Sequence, residues 1–298
     1  MTQTLHILCL AAAVFAACPV AMAAAAACAP DKLGTVREIE INGAEGISVG
    51  LQSYPRSLAL EDREVVLTFD DGPAELTPQI LDALKRECVQ ATFFLIGKNA
   101  KEMPHLVKRE IEEGHTVGYH SMTHPDRTLR LMSPAEAKAD IDAGIEAVDT
   151  AAFGKVGEHP QPFFRFPGFA DTPELLDYVH SHGMAVFGSD LWASDWRKMT
   201  PQEELKLVLE RLDAAGKGIV LFHDNKAVTA KMLPEFLRAL KERGYKVVHL
   251  VPGPGKTPVA NAGPGWKSTT EPIIAKTLKG KTREKHEKKA HEEEREGM

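Results

Sequence analysis

The chain has 298 residues, of which 43% are apolar and 26% charged, and a formal net charge of -6. These are the proportions of a globular protein with room for one large domain or two small ones. The acidic balance, without any basic patch interleaved with aromatics in the globular part, argues against a nucleic-acid partner.

The first stretch, residues 1–27, is not part of the fold. Leu5 to Ala27 is an apolar, Ala-rich run that ends in small residues, and Ala21-Met22-Ala23 fits a small-x-small cleavage site. This pattern is that of a secretory signal peptide, here without Lys or Arg in its first residues. An uncleaved membrane anchor is the alternative, because the run is near the length that spans a bilayer. A lipoprotein box at Cys18 is poorly matched. Cys9 and Cys18 leave with the signal, and Cys28 and Cys88 remain in an oxidising compartment, where a Cys28–Cys88 disulfide is expected. Two isolated thiols are the alternative.

Residues 28–60 read as an N-terminal extension, with Thr35–Ile41 alternating like an edge strand. From 61 to 251, short β-rich runs alternate with amphipathic stretches. A strand at Val65–Phe69 precedes a helix from about Thr77 to Glu87. Ala91–Ile96 precedes a helix from about Ala100 to Glu113. His115–Tyr119 follows, then Ser133-Pro134-Ala135-Glu136, a helix start with Ser as N-cap, Pro behind it and Glu at the third position. Strands at Phe163–Phe166 and Ala185–Gly188 flank a helix that ends near Gly183. Thr200-Pro201-Gln202-Glu203 opens another helix. Gly218–Phe222 is a buried strand, a helix runs from about Val228 to Arg243, and Lys246–His249 closes the series. About seven strand-helix units in one α/β domain suit a distorted barrel. An open doubly wound sheet is the competing architecture, but no G-x-G-x-x-G or Walker loop follows any strand. Residues 252–298 lose periodicity, and Lys276 to Glu296 is too charged to bury a core, so a disordered or weakly helical tail is expected.

In a parallel α/β domain the chemistry collects where strands end. Asp70-Asp71, His120 with His124, Arg165, Asp190 to Trp196, and His223-Asp224 all stand there. Adjacent carboxylates repel unless a cation lies between them. His120 and His124 share a face if their segment makes one helical turn, and could then bind that cation. Arg165 could pair with a carboxylate in bidentate fashion, or be a structural ion pair. Asp195 offers a supporting acid beside the Trp196 indole. Trp196 could stack on a sugar or sit in the core. His223 could act as a general acid or be a satisfied core histidine. His105, His159, His180 and His182 lack partners and read as solvated.

Together these residues resemble the polysaccharide deacetylase family, the NodB-homology domain of carbohydrate esterase family 4. Five motifs occur in order over about Glu61 to Val251: Thr68-Phe69-Asp70-Asp71-Gly72-Pro73, His120-Ser121-Met122-Thr123-His124, Arg165-Phe166-Pro167-Gly168, Asp195-Trp196 and Leu221-Phe222-His223. The resemblance implies a distorted (β/α)7 barrel. It implies that Asp71, His120 and His124 bind a divalent metal, usually zinc. It makes Asp70 the general base oriented by Arg165, and His223 the general acid tuned by Asp195, with Asp190 a second candidate for that tuning acid. Trp196, Leu221 and Pro167 would contact the substrate. The implied function is metal-dependent removal of N-acetyl groups from an N-acetylglucosamine polymer (peptidoglycan, chitin oligomers or an exopolysaccharide) by a secreted or periplasmic monomer with no membrane insertion after signal cleavage. An O-acetyl esterase and a non-catalytic glycan-binding module are the alternatives.

Overall fold

The computed structural model describes residues 28–126, 128–157 and 161–278. The expected signal peptide, His159 and the last residues of the charged tail lie outside them. The strands, in chain order, are β1 (Thr35–Ile41), β2 (Ser48–Val49), β3 (Arg56–Leu58), β4 (Glu64–Gly72), β5 (Thr92–Leu95), β6 (Thr116–Tyr119), β7 (Phe163–Phe164), β8 (Ala185–Phe187), β9 (Leu191–Trp192), β10 (Gly218–His223), β11 (Lys246–Pro252) and β12 (Val259–Asn261). The helices are α1 (Thr77–Arg86), α2 (Gly97–Glu102), α3 (Pro104–Glu112), α4 (Pro134–Phe153), α5 (Pro173–Ser181), α6 (Pro201–Ala215) and α7 (Ala227–Glu242).

The main sheet is parallel and runs β4-β5-β6-β7-β8 on one side of β4 and β4-β10-β9 on the other. Only residues 188–190 separate β8 from β9, too few for a crossover between parallel strands. The two are parts of one interrupted strand, paired first with β7 and then with β10. The chain itself therefore brings the sheet round into a distorted barrel. At the start of β4, β11 takes the edge that β5 occupies further along, and β1 adds to β11 as an edge strand.

Strand alternation divides the apolar residues into two cores. Val65, Leu67 and Phe69 of β4 pack with Phe93, Val117, Phe164, Val220 and Phe222 under the helices. Val66 packs inside with Phe94, Phe163, Phe187 and Ile219. The capping boxes at Ser133/Glu136 and Thr200/Glu203 form as the sequence implies. Cys28 and Cys88 form a disulfide with Cα atoms 6.0 Å apart, tying the first described residue to the end of α1.

Two elements differ from expectation. The helix expected over Ala100 to Glu113 is two, α2 and α3, broken at Met103 (φ -129°, ψ 53°). Pro104 causes the break, because the residue before a proline is pushed out of the helical region. The tail expected to lack structure from 252 is ordered as far as 278. β12 pairs antiparallel with β3, Trp266 Nε1 donates to Leu51 O, and residues 270–278 are helical with Ile274 only 5% exposed. Its order comes from backbone pairing and single apolar anchors on the loop around Gln52, which leave no periodic trace in the sequence.

Candidate active site

The alternation that builds the inner core also aims the site. Val66, Thr68 and Asp70 face inward on β4, and Gly118 leads to His120 after β6. Phe163 leads to Arg165 after β7, and Ile219, Leu221 and His223 face inward on β10. Four strands thus deliver a carboxylate, an imidazole, a guanidinium and a second imidazole to one end of the barrel interior.

Period two would turn Asp71 to the opposite face. The β4–β5 register shifts between Asp70 and Gly72, and Asp71 has φ 72°. This bulge re-aims the side chain, so both adjacent carboxylates reach the same site. Asn99 Nδ2 holds Asp71 O at 2.9 Å, and Asn225 Nδ2 contacts Asp71 Oδ2 at 3.3 Å.

His120 and His124 do meet, with ring centroids 5.2 Å apart, but not on a helical turn. Residues 120–124 form a loop with positive φ at Ser121 and His124. Asp140 of α4 accepts from Met122 N and Thr123 Oγ1 and fixes it there. Gly144 lets α4 come this close, since a Cβ there would lie 2.5 Å from Ser121 C.

His120 Nε2 and His124 Nε2 lie 3.7 and 3.5 Å from Asp71 Oδ1. His120 Nδ1 donates to Arg165 O at 2.7 Å, which leaves the Nε2 lone pair facing the cluster. Burial pulls His120 down to about 4, so the ring is neutral in the ordinary pH range. Burial pushes Asp71 up while the imidazoles of His223, His120 and His124 pull it down, and the balance lies below the ordinary carboxylate value. Asp71 Oδ1 is buried without a hydrogen-bond partner, and one ligand atom from each of the three residues lies within 4.8 Å of the others. An orphaned carboxylate oxygen beside two free imidazole nitrogens fits a divalent cation.

Asp70 is 2% exposed and accepts from Arg165 Nη1 at 2.6 Å. The bidentate pairing expected of Arg165 is not formed. Its other N–H groups go to Thr68 Oγ1, Phe187 O and Gly188 O, and the guanidinium stacks 4.2 Å from the Phe94 ring centre. β7 is only two residues long and β8 ends beside it, so these carbonyls lack ladder partners and take the guanidinium instead.

His223 Nδ1 donates to Asp195 Oδ1 at 2.8 Å, and His223 N donates to Asp195 Oδ2 at 2.7 Å. Burial pulls the imidazole down, but the hydrogen bond and charge of Asp195, with Asp71 and Asp70 beyond, override it and hold His223 at about 9. Asp190, the other candidate for this partnership, instead accepts from Leu51 N, Ser57 Oγ and Ile219 N, fastening the loop before β3 to β10.

Asp70, Asp71, His120, His124 and His223 share one cleft of about 330 Å³. Leu221 and the half-exposed Trp196 line it, and Trp196 meets the His223 ring edge-to-face at 5.7 Å. Pro167 is buried and does not line the cleft; its neighbours Phe166 and Gly168 do. His180, expected to be solvated, is half-buried with Nε2 3.2 Å from Ser48 Oγ. Sequence reasoning missed Phe169 and Trp192, which continue the aromatic wall, and Ile273 and Ile274 of the C-terminal helix. Aromatics next to the third and fourth motifs were a readable signal, whereas nothing local marks the two isoleucines.

The chain belongs to the polysaccharide deacetylase family. That family's model matches residues 58–187. A peptidoglycan-N-acetylglucosamine deacetylase of Bacillus cereus is 35% identical over 195 residues, 62% of this chain and 68% of that protein. The peptidoglycan-N-acetylglucosamine deacetylase of Listeria monocytogenes is also 35% identical, over 67% of this chain but only 40% of its own length. Among solved structures, a peptidoglycan deacetylase of Bdellovibrio bacteriovorus superposes with a TM-score of 0.65 at 32% identity, covering 76% of this chain and 61% of that one.

Proposed function

We propose that the chain is a secreted or periplasmic, metal-dependent deacetylase that hydrolyses the N-acetyl group of an N-acetylglucosamine polysaccharide, with peptidoglycan the first candidate. The observation that carries this reading is one cleft holding an Arg-paired carboxylate, an Asp-held imidazole poised near pKa 9, and a separate Asp-His-His cluster. These are a proton acceptor, a proton donor and a cation site, each with its own support. The Cys28–Cys88 disulfide and the signal-like first 27 residues support export. Among the described residues no helix is long and apolar enough to cross a membrane.

Asp71, His120 and His124 would hold the cation, and zinc suits two imidazoles and one carboxylate with positions left open. When bound, it supplies Lewis acidity that polarises the acetyl carbonyl and acidifies water. Asp70, fixed by Arg165, takes a proton from the attacking water, and the hydroxide oxygen bonds to the acetyl carbon. His223 Nε2 gives its proton to the amide nitrogen as the C–N bond breaks, because an amide anion is a very poor leaving group. Acetate and a free glucosamine amine result; exchange with solvent then removes the proton from Asp70 and returns one to His223. Leu221 and Trp196 form the apolar border for the acetyl methyl. A proton donor held this firmly favours an amide over an ester, whose alkoxide leaves without such help.

The test is acetate release by the zinc-loaded protein from peptidoglycan, chitopentaose and acetylxylan. Release from either N-acetylated glycan supports the reading. Release from acetylxylan alone would make the chain an O-acetyl esterase, and release from none would leave a glycan-binding module.

A further inference from the structure

Behind His223 the hydrogen-bond chain does not end at Asp195. Thr229, in the first turn of α7, places Oγ1 2.8 Å from Asp195 Oδ2 and 2.9 Å from Oε1 of Glu204 on α6. Asp195, Thr229 and Glu204 are 3%, 0% and 0% exposed. A hydroxyl carries one hydrogen and can donate to only one of these oxygens. The second contact therefore needs a hydrogen from the other side, so one of the two carboxyls is protonated.

Asp195 is not the protonated one, because both its oxygens already accept from His223, through Nδ1 and the backbone N–H. Glu204 has no such donors, and its Oε2 is buried without a hydrogen-bond partner. A lone buried charge there would be costly, whereas a neutral acid is tolerated. Burial, then the facing charge of Asp195, pushes the Glu204 carboxyl up to about 7, with Thr229 and His223 pulling back. The charged groups that bear on it are Asp195 from the loop after β9 and His223 from the end of β10; α7 offers Thr229.

We propose that Glu204 is a positioning residue for the general acid: its protonated carboxyl donates to Thr229 Oγ1, which locks the Thr229 hydroxyl onto Asp195 and Asp195 onto His223. This rests on the reading of His223 as the acid that protonates the leaving amine. The hydrogen bond from Thr229 tempers the basicity of Asp195, so His223 holds its proton yet can still release it. When Glu204 ionises, it competes with Asp195 for the one hydroxyl hydrogen. Asp195 then becomes more basic and His223 binds its proton harder.

The experiment pairs two readouts on the zinc-loaded protein: an NMR titration of the His223 ring, and kcat and KM on an N-acetylated chitooligosaccharide. In the unaltered protein the His223 signals should show a second inflection near pH 7, from Glu204. Glu204→Gln, whose amide donates the same hydrogen bond without ionising, should lose that inflection. Thr229→Val should raise the His223 pKa by on the order of one unit and lower kcat about tenfold with KM little changed. Thr229→Ser should recover both, and Glu204→Gln should recover most of the kcat that Glu204→Leu loses. The NMR readout needs no turnover, so the expected titration shifts in a protein that releases no acetate would support this proposal while sinking the deacetylase reading. Persistence of the inflection in Glu204→Gln, or an unmoved His223 titration in Thr229→Val, would overturn it.

Discussion

Replacing Asp195 by Asn removes the charge that holds His223 protonated while keeping the side chain's size. In the native protein the imidazole stands at about 9 against an ordinary 6.5. A gap of about 2.5 units corresponds to ~3 kcal/mol, an upper figure, because a cation held by the Asp71 cluster would cancel the smaller contributions of Asp71 and Asp70. Without Asp195, burial dominates and carries the imidazole to or below 6.5. At pH 8 the acid form then falls from about nine-tenths of the molecules to about 3%, a loss of about thirtyfold in available proton donor. The assay is acetate release against pH from 6 to 9.5: the alkaline fall in kcat should move down by about two units in Asp195→Asn. Stability carries the same sign. His223 is raised on folding, so its contribution is complete below about 6.5 and disappears as pH climbs through about 9. Thermal or urea unfolding should therefore show Asp195→Asn weakened by up to ~3 kcal/mol at pH 6 and nearly native at pH 10. An alkaline limb that stays in place would refute the assignment of His223 as the acid controlled by Asp195.

Asp71→Ala should abolish zinc binding measured by metal analysis, whereas Asp70→Asn should keep the metal and lose on the order of 10²–10⁴ in kcat; equal metal loss in both would show that the two aspartates are wrongly divided. Deleting residues 266–298 removes the Trp266, Thr270 and Glu271 attachments and the Ile273–Ile274 wall. KM for a chitooligosaccharide should rise several-fold while zinc stoichiometry stays the same, and an unchanged KM would mean that this wall does not touch substrate. Reducing the Cys28–Cys88 bond, which closes a loop of sequence separation 60, should lower unfolding stability by about 4 kcal/mol in urea titrations.

Much of the site was legible because it is built from strand ends, and a strand's pattern announces both its end and its inward face. Asp70, His120, Arg165 and His223 are read that way. Asp71 was legible as a charge beside a charge, but its reach depends on a bulge, a tertiary irregularity with no residue signature apart from the Gly72 that follows. The His120–His124 pair was placed together for the wrong local reason. The loop is shaped by Asp140 and Gly144 of α4, some twenty residues along the chain. Pro104 announced the break between α2 and α3 in plain sight. Glu204 was also readable: it falls one turn before Val208 on the apolar stripe of α6, where an acid needs a reason to be. The ordered stretch from 252 to 278 was not, because a short β12–β3 pairing, bonds to the backbone of the Gln52 loop and single side-chain contacts such as Glu271 with Arg130 hold it, and none of these leaves a periodic pattern.

Arg165 has a second consequence. Its side chain starts beside β7, donates to the carbonyls at the end of β8, and crosses the interior to Thr68 and Asp70 on β4. It is a tie bar across the ring, set where the ladder between strands runs out. The group that orients Asp70 is thus also a fastener of the barrel wall. The barrel wall and the hold on Asp70 are welded at one side chain, so the mouth cannot widen without slackening the carboxylate proposed here as the base.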